Sequence, residues 1–104
     1  MDLVFHALAD PSRRQVMRCI SEGGEVSVTE IASQLPISRQ AVSKHLAALT
    51  DAGLVAFERQ GRDKLYRLTP QPLGDALAWM AEVGADWDTR LKSLERHLYR
   101  SSRR

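Results

Sequence analysis

The sequence predicts a mainly α fold with one small β-hairpin, a winged helix-turn-helix, and three observations predict it. Two short helix patterns joined by a tight turn run through SVTEIASQLPISRQAVSKHLAALTDAGLV at residues 27–55. A basic hairpin pattern, FERQGRDKLYRLT, follows at once, and a long heptad-patterned helix closes the chain. Such an order is the wiring expected of a DNA-reading domain. It sets a helix-turn-helix at about 28–52, a wing at about 54–69 and a dimerisation helix at about 73–99, within one domain spanning 1–104.

Leu3 to Ala9 is apolar apart from His6 and reads as a first helix too weakly amphipathic to stand alone. Asp10-Pro11 opens the second, with proline near the N-terminus where its missing amide costs little. Val16, Met17 and Ile20 form its inner face, Arg13, Arg14 and Arg18 its outer one, and Gly23-Gly24 ends it. Cys19, the single cysteine, sits among these apolar residues and reads as a small hydrophobe in the core. Glu25 to Val28 is placed to add a short strand. Ser27 with Glu30 three residues on is a capping box, starting a helix at about Val28 to Leu35, which Pro36 then breaks. Ser38 is an N-cap for the next helix, whose Val42, Leu46 and Leu49 recur at i, i+4, i+7 as a buried stripe. Gly53 ends that helix as a C′ residue. Leu54, Val55 and Phe57, then Leu65, Tyr66 and Leu68, have strand character. Gln60-Gly61-Arg62-Asp63 turns between them, with Gly61 free to take a positive φ. Pro70 and Pro72 separate the hairpin from the final helix.

In that helix Leu73, Leu77, Met80, Gly84, Trp87, Leu91, Leu94 and Leu98 are spaced 4, 3, 4, 3, 4, 3, 4, a heptad seam interrupted only by the glycine. Spanning 73–99 at 1.5 Å per residue it is ~40 Å long, more than so small a domain covers by itself. The expectation is a homodimer whose interface includes Leu77, Met80, Trp87, Leu91, Leu94 and Leu98, with Leu3 and Val4 of the first helix. Trp79, Ala76 and Val83 lie off the seam and widen the apolar face toward the domain body.

The formal net charge of +2 is small, but its distribution is uneven. Residues 1–37 sum to −2, residues 38–67 to +3 and residues 68–104 to +1, so the excess sits on the second helix of the motif and the hairpin. The candidate DNA contacts are Ser38, Arg39, Gln40, Ser43, Lys44 and His45 on the helix and Arg59, Arg62, Lys64 and Arg67 on the wing. Gln40 and Ser43, one turn apart, suit base edges, Arg39 and Lys44 bases or phosphates, and the wing cations an electrostatic grip with Arg62 at its tip. His45, beside the buried stripe, faces the DNA backbone or buttresses the helix. The first is slightly favoured.

No apolar run approaches the ~20 residues of a membrane span, and the N-terminus lacks a signal-peptide pattern, so a cytoplasmic protein without membrane association is expected. One cysteine makes no intramolecular disulfide and no multi-cysteine metal site. The serines and histidines of the motif lie in one helix with no orienting carboxylate at triad spacing, and no Gly-rich phosphate loop appears, so no enzyme activity is expected.

Nearly the whole chain resembles the ArsR-type bacterial transcriptional regulators. FHALADPSRRQVM is similar to that family's opening segment, SVTEIASQLPISRQAVSKHLAALTDAGLV to its helix-turn-helix and ERQGRDKLYRL to its wing. The resemblance implies four helices, then a two-stranded wing and a fifth helix. It also implies a homodimer paired through the first and last helices that represses from an imperfect palindrome until an inducer, here unknown, releases it. Metal-sensing members carry Cys-Val-Cys where this chain has Ser27-Val28-Thr29, and hydroxyls do not replace thiolates for soft metals. A second family site uses carboxylates and histidine on the last helix. Asp86, Asp88 and His97 are only loosely similar to it, and Arg100 stands where an acid would help. The expectation is no metal and no cofactor, with an opening ADPSRR and a tryptophan-bearing last helix nearer to the non-metal members. A protein-interaction module and an atypical metal-responsive sensor are the competing functions. Salt-dependent DNA binding separates the first from a DNA reader.

Overall fold

A computed structural model describes the backbone of residues 1–102 and the side chains of residues 1–98. Arg103 and Arg104 of the basic tail, and the side chain of Arg100, lie outside the described residues. The order is α1 (Asp2–Leu8), α2 (Pro11–Gly23), α3 (Val28–Gln34), α4 (Arg39–Asp51), β1 (Val55–Gln60), β2 (Asp63–Leu68) and α5 (Pro70–Ser102).

Capping sets most of these boundaries. The Asp10 carboxylate accepts from the N–H groups of Ser12 at 2.8 Å and Arg13 at 3.1 Å, which starts α2 at Pro11. Ser27 Oγ accepts from the Glu30 N–H at 3.2 Å and lies 3.3 Å from Glu30 Oε1, so the returning arm of the capping box meets the hydroxyl instead of the backbone. Leu35 is extended, at φ −120° and ψ 148°, as the residue before a proline prefers, so α3 ends at Gln34 and not at Leu35. Ser38 Oγ accepts from the Ala41 N–H at 3.1 Å and starts α4. At the other end of α4, Leu54 N–H bonds Leu49 O at 3.0 Å and Gly53 N–H bonds Thr50 O at 2.9 Å, a Schellman closure made possible by Gly53 at φ +75°.

Val16, Ile20, Ile31, Val42, Leu46, Leu49 and Leu54 are fully buried and form the centre of the core. The stripe of α4 is thus the inner wall against which α1, α2, α3 and β1 pack. Cys19 joins this core, and burial, with the Glu22 charge second, raises its thiol pKa and keeps it protonated at neutral pH. The hairpin pairs antiparallel from Val55↔Leu68 to Gln60↔Asp63, leaving only Gly61 and Arg62 in the turn, with Gly61 at φ +63°. The short strand expected at Glu25 to Val28 reduces to one bridging residue, as Val26 N–H bonds Tyr66 O at 3.0 Å and Tyr66 N–H bonds Val26 O at 2.8 Å.

Pro70 and Pro72 do not separate the hairpin from α5. They lie within its first turn, where amides have no intrahelical partner and proline costs nothing. Over 33 residues α5 reaches about 50 Å. It leaves the body after Ala76, which is buried, and Trp79, whose ring meets Phe5 of α1 edge-on at 5.5 Å. The radius of gyration is therefore 19.8 Å, against about 13 Å for a compact chain of this length, and the molecule extends 74 Å along its longest axis. No helix among the described residues is long and apolar enough to cross a membrane.

Candidate nucleic-acid interface

The stripe that buries Val42, Leu46 and Leu49 fixes which side of α4 faces outward. Arg39, Gln40, Ser43 and Lys44 are all exposed, and Ser38, also exposed, has its oxygen committed to the cap. His45 sits differently. It is half-buried, its Nδ1 is enclosed without a hydrogen-bond partner, and its charge acts on Asp10 at the start of α2. The Asp10 carboxyl is held below its ordinary value first by the Arg13 N–H, against burial, then by the Ser12 N–H and the charges of His45 and Arg13. His45 thus lies near the start of α2, where a buttress between α4 and α2 would act.

The register divides the wing cations. Arg59 pairs directly with Lys64 on the hairpin face that also carries Phe57 and Tyr66, whose rings stand 5.3 Å apart. Lys64 Nζ lies 4.6 Å from the Phe57 ring centroid, a cation–π contact that steadies it. Arg67 is three residues from Lys64, hence on the opposite face, where it pairs with Glu58 at 3.0 Å. Arg67 therefore stands apart from the other three cations.

Arg39 from α4 meets Arg62 and Lys64 from the hairpin along one cleft of about 200 Å³, also lined by Ser27, Thr29 and Asp63. Two cations from the wing and one from α4 thus share a concave surface with a single acidic residue among the described ones. Arg39 Nη2 donates to Thr29 Oγ1 at 2.9 Å, which holds the guanidinium at the cleft wall. Sequence alone gives Thr29 no part in the site, because residues 27–29 invite comparison only with metal ligands. Its one available signal is its place at the start of the helix that crosses the backbone in such motifs.

Away from the cleft, Leu3, Leu77, Met80, Trp87, Leu91, Leu94 and Leu98 are between 42% and 63% exposed, an apolar face that the chain leaves uncovered. Val4 does not belong with them. At 5% exposure it is part of the core, because α1 turns Val4 and Ala7 inward and Leu3 outward. Arg90 lies over the Trp87 ring at 5.8 Å. Among the described residues no three of His, Cys, Asp and Glu are grouped to hold a metal ion.

A family model for a helix-turn-helix domain matches residues 8–56. The chain is 34% identical over 80 residues to the transcriptional repressor SdpR of Bacillus subtilis, covering 77% of this chain and 88% of that protein. Its structure is similar to that of an ArsR-like transcriptional regulator from Rhodococcus sp. RHA1, with a TM-score of 0.81, 35% identity and coverage of 91% of this chain and 86% of that one. It is also similar to the homodimeric winged helix-turn-helix domain of a possible ArsR-family regulator from Mycobacterium bovis, with a TM-score of 0.65, 30% identity and coverage of 82% and 77%. With these identities extending over most of the chain, it belongs to the ArsR family of winged helix-turn-helix transcriptional regulators, which bind DNA and are not enzymes.

Proposed function

We propose that this regulator is a homodimeric repressor that grips a near-palindromic operator with both halves of each winged domain. Gln40 and Ser43 reach base edges in the major groove, where a Gln amide can pair with an adenine edge in bidentate fashion. Arg39 and Lys44 flank them on bases or phosphates, and the Ser38 hydroxyl lies near the backbone. Arg59, Arg62 and Lys64 neutralise phosphates beside the groove, with Arg62 at the turn able to enter a minor groove. The observation that carries this reading is the shared cleft: Arg39 of the helix and Arg62 and Lys64 of the wing line one concave surface that a DNA strand would fill.

Pairing through α5, with Leu3 of α1 at its edge, sets two reading helices about one DNA turn apart, ~34 Å. Seven large apolar side chains, each half-exposed at roughly 100 Å², amount to on the order of 700 Å² per chain. That is close to the ~800 Å² per partner of a standard interface. The M. bovis neighbour is described as homodimeric, and SdpR is named a repressor; both support this assignment. An inducer of unknown chemistry would release the operator.

Selection of duplexes from fragmented genomic DNA by the intact chain, followed by footprinting, tests the reading. It expects a protected, near-palindromic site with two halves one turn apart. Recovery of random fragments, or of no duplex at all, overturns it.

A further inference from the structure

Thr29 is the second residue of α3 and is exposed, yet its Oγ1 accepts a hydrogen bond from Arg39, ten residues later, at 2.9 Å. A threonine hydroxyl has two acceptor lone pairs and one proton to donate. Among the described residues no acceptor takes that proton. The neighbouring hydroxyl is spent, because Ser27 Oγ is engaged with both the backbone and the side chain of Glu30. The cleft therefore holds one hydroxyl proton with no protein acceptor among the described residues, one guanidinium bonded to that hydroxyl with four N–H groups left over, and Arg62, Lys64 and the Asp63 carboxylate along the same lining. Arg39, Arg62 and Lys64 against the one carboxylate of Asp63 leave an excess of two positive charges around about 200 Å³, which an anion between them offsets.

We propose that Thr29 and Arg39 form a subsite for one DNA phosphate per half-site, within the cleft that Arg62 and Lys64 also line. The inference rests on the DNA-binding assignment and adds a residue outside the reading helix and the wing. Thr29 has two roles there. Its oxygen positions the Arg39 guanidinium, removing much of the rotamer freedom an exposed arginine otherwise loses on binding. Its proton is donated to a phosphate oxygen, a contact that fixes register and carries no base information. The first helix of such motifs crosses the backbone, so a phosphate at this height lies beside the bases that Gln40 faces.

The test uses the intact chain, a selected operator duplex and the variants Thr29→Val, Thr29→Ser, Arg39→Ala and Thr29→Val/Arg39→Ala. Valine keeps the branched shape and removes the hydroxyl at an exposed position, so each variant first has to match the parent's thermal midpoint. Thr29→Val is expected to bind about tenfold more weakly per half-site, and Thr29→Ser to restore affinity. The double variant should lose little beyond Arg39→Ala alone, since the two side chains act as a unit. Ethylation interference should lose one phosphate per half-site in Thr29→Val while base-pair preference stays unchanged. Parent-like binding by Thr29→Val, failure of serine to restore affinity, or strictly additive losses overturn the subsite and leave the DNA-binding assignment intact. If the parent chain itself selects no duplex, that assignment fails and the subsite with it.

Discussion

Replacing Leu91 and Leu94 with glutamate on the far half of α5 tests whether the exposed seam is an interface. The two leucines are 51% and 53% exposed and touch nothing in the core, so the monomer fold has no stake in them. Each offers roughly 90 Å², which is about 360 Å² over two chains, or on the order of 9 kcal/mol of gross apolar burial. Part of that is offset by ordering costs, so half is a conservative figure, still more than a thousandfold in the dimer dissociation constant. The introduced carboxylates would also oppose one another across a desolvated seam. Analytical ultracentrifugation of parent and variant at micromolar concentration reads the effect, with circular dichroism as a control for helix content. The variant should sediment as a folded monomer and lose specific operator affinity while its reading helix is untouched. A variant that still dimerises, or a parent that sediments as a monomer yet binds its operator fully, refutes the reasoning.

Gln40→Ala should relax preference at one base pair per half-site by roughly 1–3 kcal/mol, read by competition among single-base operator variants. Gly53→Ala should cost about 1–2 kcal/mol in urea unfolding with an unchanged slope, because φ is +75° there while an added Cβ would meet only Pro72 at an ordinary 3.6 Å. Burial raises the Cys19 pKa, so the folded state keeps its thiol proton where the unfolded chain has lost it. Stability is then full below the ordinary thiol range near about 8.5 and declines as pH climbs through that range toward the folded value. Cys19→Ala should flatten that decline in urea midpoints measured between neutral and alkaline pH.

Local chemistry is legible in the sequence wherever one residue type decides one backbone event. Asp10, Ser27 and Ser38 each cap the helix expected of them, and Gly53 and Gly61 both take a positive φ. The start of α5 is harder to read because proline both stops helices and opens them, and only the neighbouring geometry separates the two. The inward turn of Val4 escapes a sequence pattern because seven residues hold too few turns to fix a face. Arg67 is a different case: its offset of three from Lys64 already implies the opposite face, while its ion pair with Glu58 depends on the register. The Thr29 hydrogen bond with Arg39 has no local signal at all, since it depends on the angle at which α3 and α4 meet.

The most direct test of the central claim, that helix and wing grip DNA through one cationic cleft, is the salt dependence of operator affinity for the parent and for Arg62→Ala/Lys64→Ala. Each phosphate neutralised contributes about one unit to the slope of log affinity against log salt, since its counterion is released on binding. The variant should bind every sequence more weakly and show a slope shallower by about one unit for each phosphate that the wing no longer neutralises. A slope identical to the parent's would contradict the account, because it would mean that the wing never reaches the DNA.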